Sequence, residues 1–282
     1  MIKVGVLAVQ GSFAEHIAML ERIDGRAERV GLSSTLSPAG FKFDSFDDGA
    51  SLQKSSPSKR PRSADLAGLN LSQSSQSPSA PAFNDPSRPS PLSQSSNEPA
   101  PAVQDPATGA DKFKGRLDIR QIRQQSDLKG GFDALIFPGG ESTTMGKLLR
   151  ELGLFEPLRE MIKGGVGAFG TCAGAILLAG RLVGDSTVHF GLLEASVQRN
   201  AYGRQLGSFT CVSEFKGVGS VPMVFVRAPV FADVGEGVQV LSVVNERIVA
   251  VRQDNMLATS YHPELTRDER VHRYFLESLS LG

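Results

Sequence analysis

Apolar and polar residues alternate in recognisable periods at both ends of this chain and lose all period in between. Near the start, residues 4–9 form a continuous apolar run that reads as a buried strand. Ser12-Phe13-Ala14-Glu15 then has the spacing of a capping box, and Phe13, Ile17 and Leu20 fall on one helical face. After a long aperiodic stretch the pattern resumes. LDIRQIR reads as a second strand, and FDALIFPGGES as an apolar strand broken by Pro138-Gly139-Gly140. TTMGKLLRELGLF is helical, GVGAFG is a short strand, and AGAILLAG is a helix leaving it. Six β-rich runs follow: LLEASVQ, SFTCVSEF, VPMVFVRAP, VQVLSVV, RIVAVRQ and NMLATSYH, with a last helix over about 267–279. Strand and helix alternate early, which predicts an α/β core with a mostly parallel sheet flanked by helices. A ligand site is then expected at the carboxyl ends of the strands.

The aperiodic stretch is distinguished by composition. Ten of the sixteen prolines fall between residues 51 and 110, among many serines. Such text cannot bury enough apolar surface to offset its ordering entropy, so a disordered insertion is expected at about 33–114. It reads either as a surface loop lengthened by drift or as a regulatory segment with phosphorylatable serines. The remainder, about 200 residues, suits a single domain spanning 1–282 with this interruption.

The totals narrow the function classes. With 282 residues, a formal net charge of +0 and 40% hydrophobic residues, there is ample core and no electrostatic reason to expect nucleic acid or an anionic membrane as partner. Two cysteines do not make a disulfide framework, which points to a reducing compartment. No uncharged apolar run approaches the ~18 residues of a membrane span. The opening MIKVGVLAVQG has no secretory-signal pattern, so a soluble cytosolic protein is expected.

The candidate chemistry centres on Cys172. In Gly170-Thr171-Cys172-Ala173-Gly174 the cysteine sits at a predicted strand-to-helix junction, the glycine-framed nucleophile elbow with Cys in place of Ser. Glycines suit a sharp turn that neighbouring Cβ atoms would obstruct, and a helix N-terminus favours negative charge. The competing reading is a buried, inert cysteine. Of the four histidines, His16 and His272 read as partly exposed helix residues, and His189 has no obvious partner. His262, in SYHPELT, ends an apolar run, and Pro263 biases it away from helical angles. In extended chain Glu264 would share its side, where a carboxylate can fix the imidazole tautomer. An ordinary strand-end histidine beside a surface glutamate is the alternative. The Ala173 amide and the 138–140 turn are candidate oxyanion donors. No CxxC pair or histidine cluster suggests a metal.

VLAVQGSFAEH, PGGESTTMGKLL, FGTCAG, VQRNAYGRQLGSF, FVRAP and SYHPELT occur in that order. Together they resemble the glutaminase subunit of pyridoxal 5'-phosphate synthase, a class I, triad-type glutamine amidotransferase with a flavodoxin-like fold. The resemblance implies Cys172 as nucleophile, His262 as base and then acid, and Glu264 as its orienter. It implies Gly140, Glu141, Ser142, Arg199, Val226 and Arg227 as glutamine-binding residues. Gly140 and Ala173 would supply the oxyanion hole, and Gln10 would couple the site to a partner. That partner is the synthase subunit, which uses the ammonia; pyridoxal phosphate is its product, and no cofactor is implied for this chain. A related cysteine hydrolase, such as a peptidase or deglycase, and a non-catalytic regulatory subunit are the competing readings. The insertion, where the family has a short connection, is the main departure.

Overall fold

Short runs that are apolar at every position form strands here because both of their faces are covered. In β3 (Ala134–Phe137) every residue is buried, Leu135 and Phe137 towards one apolar cluster and Ala134 and Ile136 towards the other. The computed structural model describes residues 1–25, 116–202 and 207–279. The insertion expected at about 33–114 lies outside the described residues.

In chain order the elements begin with β1 (Ile2–Leu7), α1 (Phe13–Ile23), β2 (Leu117–Ile122) and β3. Next come α2 (Ser142–Glu151), α3 (Phe155–Lys163), β4 (Gly167–Thr171), α4 (Ala173–Leu178), β5 (Ala179–Leu182) and β6 (Leu193–Gln198). A ribbon of β7 (Ser208–Phe215) and β8 (Gly219–Val226) follows, then β9 (Val230–Val234), β10 (Gln239–Val244), β11 (Arg247–Gln253), β12 (Met256–Thr259) and α5 (Arg270–Ser278).

The main sheet runs β2-β1-β3-β4-β12-β11-β9-β6-β5, with β10 also paired to β11. The first five strands in that order are mutually parallel, and antiparallel pairing begins at β11. This is the α/β class with a mostly parallel, helix-flanked sheet that the early alternation predicts. On one face α2, α3 and α4 pack Met145, Leu149, Leu158, Ile162 and Leu177 over the strands. On the other, α1, α5 and the β7–β8 ribbon contribute Met19, Leu20, Phe275, Leu276, Met223 and Phe225.

Several expectations need correction. The capping box does not form: Ser12 makes no side-chain cap bond to α1, and its hydroxyl donates instead to Glu264 Oε1 at 2.7 Å. The buried face of α1 is His16, Met19, Leu20 and Ile23, with Phe13 and Ile17 only half-buried. His16 and His272 are both 0% exposed, not partly exposed as their helices suggested. TTMGKLLRELGLF is not one helix. Gly153, in the left-handed region at φ +67°, separates α2 from α3. AGAILLAG gives only a six-residue helix before the chain straightens into β5.

The two described chain ends on either side of the expected insertion are joined. The Leu117 amide donates to Asp24 Oδ1 at 2.7 Å, and the Ile2 amide donates to the Arg116 carbonyl at 2.9 Å. Among the described residues no helix is long and apolar enough to cross a membrane.

Candidate active site

Four neighbouring parallel strands, β1, β3, β4 and β12, deliver Gln10, Gly139-Gly140, Cys172 and His262 just beyond their carboxyl ends. Cys172 links β4 directly to α4 with φ 48° and ψ −100°, a conformation that L-residues rarely adopt and that costs about 1–3 kcal/mol. The flanking glycines are required by close approach. A Cβ on Gly174 would lie 1.9 Å from the Phe137 carbonyl oxygen, and one on Gly170 would lie 2.5 Å from the Gly174 carbonyl carbon. The elbow is anchored by the Cys172 amide donating to the Thr259 carbonyl at 2.8 Å.

His262 follows β12 and is 7% exposed. Its amide donates to the Val224 carbonyl of β8 at 2.8 Å. Pro263 opens a 3-10 turn over Pro263–Leu265, so the backbone here is not the extended chain expected. The turn nevertheless places Glu264 Oε1 2.7 Å from His262 Nδ1. With Nδ1 engaged by Glu264, Nε2 is the ring nitrogen left for Cys172. Burial works against a charged His262 ring, but the Glu264 carboxylate and hydrogen bonds with Cys172 and Glu264 outweigh it and raise its pKa to about 10. Burial likewise opposes the Glu264 charge, yet attraction to His16 and His262 holds this carboxyl well below the ordinary range.

Sequence reasoning missed what surrounds Glu264. Besides His262, its Oε1 accepts from Ser12 Oγ at 2.7 Å and Thr171 Oγ1 at 3.3 Å, with His16 Nε2 3.5 Å away. His16 Nε2 lies 3.2 Å from Thr171 Oγ1, and His16 Nδ1 lies 2.9 Å from His272 Nε2. The signal that could have found His16 is its i, i+3, i+4, i+7 spacing with Met19, Leu20 and Ile23, a polar residue on an otherwise apolar face.

The remaining candidates spread around the same edge. Gly139 packs its α-carbon against the His262 ring, where a Cβ would come 2.1 Å from Cε1. The Gly139 carbonyl accepts from the Ser12 amide at 3.0 Å. Gln10 Oε1 accepts from the Glu141 amide at 3.0 Å, so its side chain lies along Gly140. Glu141 is the N-cap of α2 and accepts from the Thr143 and Thr144 amides at 2.9 and 2.6 Å. Partial burial opposes its charge, but these donors and the two threonine hydroxyls lower its pKa to about 2. Ser142 is buried at the first turn of α2. Ala173 is 1% exposed and begins α4.

Arg199 follows β6 and donates to Thr143 Oγ1 at 3.3 Å, with a close ion pair to Asp185. Val226 ends β8, and its carbonyl lies 3.9 Å from Cys172 Sγ. Arg227 follows in the left-handed region at φ 43°, exposed. Cys211 lies on β7 within the ribbon, where burial pushes its thiol pKa up. His189 is 6% exposed, burial pushes its pKa down, and neither ring nitrogen has a hydrogen-bond partner among the described residues. No group of three or more His, Cys, Asp or Glu suited to a metal occurs among the described residues.

This layout is that of the α/β proteins in which a turn-borne thiol or hydroxyl stands above the carboxyl edge of a parallel sheet. The chain belongs, more narrowly, to the SNO glutamine amidotransferase family, whose model matches residues 105–281. It is similar to the pyridoxal 5'-phosphate synthase subunit PdxT of Streptococcus pneumoniae serotype 2 (strain D39 / NCTC 7466). The two are 54% identical over 154 residues, which is 55% of this chain and 78% of that protein. The same figures hold for the subunit from strain ATCC BAA-255 / R6. A solved glutamine amidotransferase structure is 34% identical with a TM-score of 0.63, covering 98% of both chains.

Proposed function

We propose that this chain hydrolyses L-glutamine to glutamate and ammonia, and hands the ammonia to the synthase subunit of a pyridoxal 5'-phosphate synthase. One observation carries the reading. Cys172 is held on a strained elbow at the strand ends where His262 is fixed by Glu264 at 2.7 Å. The family membership and the PdxT relatives support it.

In the reaction, the Cys172 thiol cedes its proton to His262 Nε2, a transfer the raised pKa of that ring favours, and the Sγ thiolate attacks the side-chain amide carbon of glutamine. The amide Cys172 N–H is committed to Thr259, so the donors for the developing oxyanion are the Ala173 and Gly140 amides. The tetrahedral intermediate collapses as His262 returns the proton to the departing nitrogen, which leaves as ammonia. A glutamyl thioester remains on Cys172. Water, deprotonated by His262, attacks that carbonyl, and the thiol leaves with a proton from the same ring to release glutamate. Glu264 keeps the imidazole in one tautomer and balances its charge.

Gly140, Glu141 and Ser142 line the substrate at the α2 terminus, with Val226 and Arg227 opposite on the ribbon. Arg199 takes the α-carboxylate of glutamine as a planar, bidentate donor. Asp185 and Thr143 hold the Arg199 guanidinium near α2 before substrate arrives. Gln10, which grips the Glu141 amide, ties the β1 turn to the oxyanion turn, and a synthase subunit docked on the β1 turn would act on the site through it.

Ammonia release from L-glutamine, measured with and without the synthase subunit beside a Cys172→Ala control, tests this function. Turnover that rises with the partner and is absent in the control is expected. A folded chain with no turnover in either condition overturns it.

A further inference from the structure

The residues behind Glu264 form a directed chain of donors that the chemistry above does not use. Glu264 is 4% exposed, and all of its hydrogen bonds fall on one oxygen: Ser12, Thr171 and His262 each donate to Oε1, while Oε2 has no partner among the described residues. A carboxylate gripped through a single oxygen can turn about its last bond unless the donors fix it. Thr171 has one hydroxyl proton. If it is donated to Glu264, the Thr171 oxygen must accept from His16, whose Nε2 lies 3.2 Å away. His16 then carries a proton on Nε2, and in its neutral form it accepts on Nδ1 from His272 Nε2, 2.9 Å away. That assigns the bare nitrogen of His272 to Nδ1, the atom with no partner among the described residues. Every tautomer is thus set by one polarity running from α5 through α1 and β4 to the carboxylate. Phe169 packs edge-on against both rings, 6.1 and 5.4 Å between centroids, and holds them in this orientation.

We propose that His16 is a positioning residue for the glutaminase reaction: with Thr171 and Ser12 it forms a buried donor layer that fixes the rotation of Glu264, and through it the reactive tautomer of His262. Resting on the function proposed above, it assigns a role to a helix histidine outside the Cys-His-Glu set.

The relay has a specific signature. A leucine at position 16 fills the space without a donor, whereas a glutamine can place an amide N–H where Nε2 stands. The Thr171 hydroxyl loses its orientation when His16 is removed, so the two side chains act through one path.

Steady-state ammonia release by the full chain with its synthase subunit is measured for His16→Leu, His16→Gln, Thr171→Val and the His16→Leu/Thr171→Val pair. Melting curves are recorded in parallel. His16→Leu and Thr171→Val are each expected to lower kcat about tenfold with KM within about twofold. His16→Gln recovers most of the loss, and the double variant is no slower than the slower single one. Losses that multiply in the double variant, equal loss in the glutamine and leucine variants, or kcat unchanged in His16→Leu would each overturn the proposal. Should His16→Leu fail to fold, Thr171→Val and Ser12→Ala carry the same kcat comparison, each expected to fall and each overturning the idea if unchanged. A second readout is independent of turnover: the Nδ1 proton resonance of His262 in histidine-labelled protein. It is expected to shift or broaden in Thr171→Val. If the parent protein releases no ammonia yet this resonance moves, the functional reading fails and the donor layer stands. If ammonia is released and the resonance is unmoved, the reverse holds.

Discussion

A methyl group added at Gly139 would test the geometry of the site directly. Gly139 is buried behind the His262 ring, and its backbone is outside the left-handed region, so alanine is not strained by its own dihedral angles. The added carbon would stand 2.1 Å from Cε1 and 2.8 Å from Nδ1 of His262. The ring must therefore retreat by about 1 Å or more to reach ordinary contact, a misplacement that costs on the order of 100-fold in rate. Retreat also strains the 2.7 Å contact between Nδ1 and Glu264 that fixes the tautomer. We expect Gly139→Ala to lower kcat about 100-fold, equivalent to about 2.7 kcal/mol of barrier, with KM within about threefold. The assay is glutamine-dependent ammonia release coupled to glutamate dehydrogenase, with the melting temperature followed in parallel. The histidine ring and the turn can share the displacement, so the fold should persist. A well-folded Gly139→Ala protein with kcat within about threefold of its parent would refute the reasoning that this turn sets the position of the His262 ring for the proposed reaction.

Other outcomes follow from the same coordinates. Cys172→Ala should abolish turnover and keep the circular dichroism spectrum, and Cys172→Gly should be more stable than Cys172→Ala by about 1 kcal/mol, because only glycine is at ease with positive φ; equal urea midpoints would deny the strain. Stability should fall on both sides of about pH 6.5. The His262 pKa is raised to about 10, so the folded state binds the extra proton between the unfolded value and that one, and stability is lost as pH rises through this window. His272, pushed well below its ordinary value by burial and the neighbouring His16, and Glu264, held low despite burial by His16 and His262, have the opposite sign. Their contributions are lost as pH falls below about 6.5 and 4.5 respectively, with a limiting slope of about 1.4 kcal/mol per pH unit for each group. Urea midpoints across pH measure both limbs, and a His262→Gln variant with an unaltered alkaline limb would contradict the assignment. Cys211→Ser and Cys211→Val, on the ribbon strand, should leave kcat unchanged in the ammonia assay; a loss equal to that at Cys172 would mean the thiol roles are misassigned.

The sequence made the strand ends legible and their backing obscure. The cysteine elbow could be read because its physical requirement, glycines where Cβ atoms would strike Phe137 and the turn itself, leaves a spelling in the chain. The strand runs were legible for a similar reason: a parallel strand covered on both faces is apolar at every position, as in β3. What failed was anything decided by a distant partner. Ser12 looked like a helix cap because a hydroxyl three residues before a glutamate usually is one, but a buried carboxylate 252 positions away outcompetes the backbone for it. His16 and His272 looked surface-bound because a polar side chain on a helix is cheapest in water. Their burial is affordable only through each other and Thr171, which no local window contains. β9 and the separate α3 escaped notice because VFADV is short and mixed, and because the period of α2 carries on past the Gly153 break.

The hydrogen bond between Asp24 and Leu117 gives the chain an entry port for foreign sequence. It fastens the exit of α1 to the start of β2, so the two points between which added sequence would enter and leave are held together by the fold. For a closed loop, an eightfold increase in length adds only about 2 kcal/mol of closure entropy. Selection therefore has little thermodynamic purchase on what accumulates at this junction, and sequence can be gained or shed there while β1 and β2 keep their register. The same tolerance would make this the place to splice in a reporter or sensor module without disturbing the carboxyl edge of the sheet.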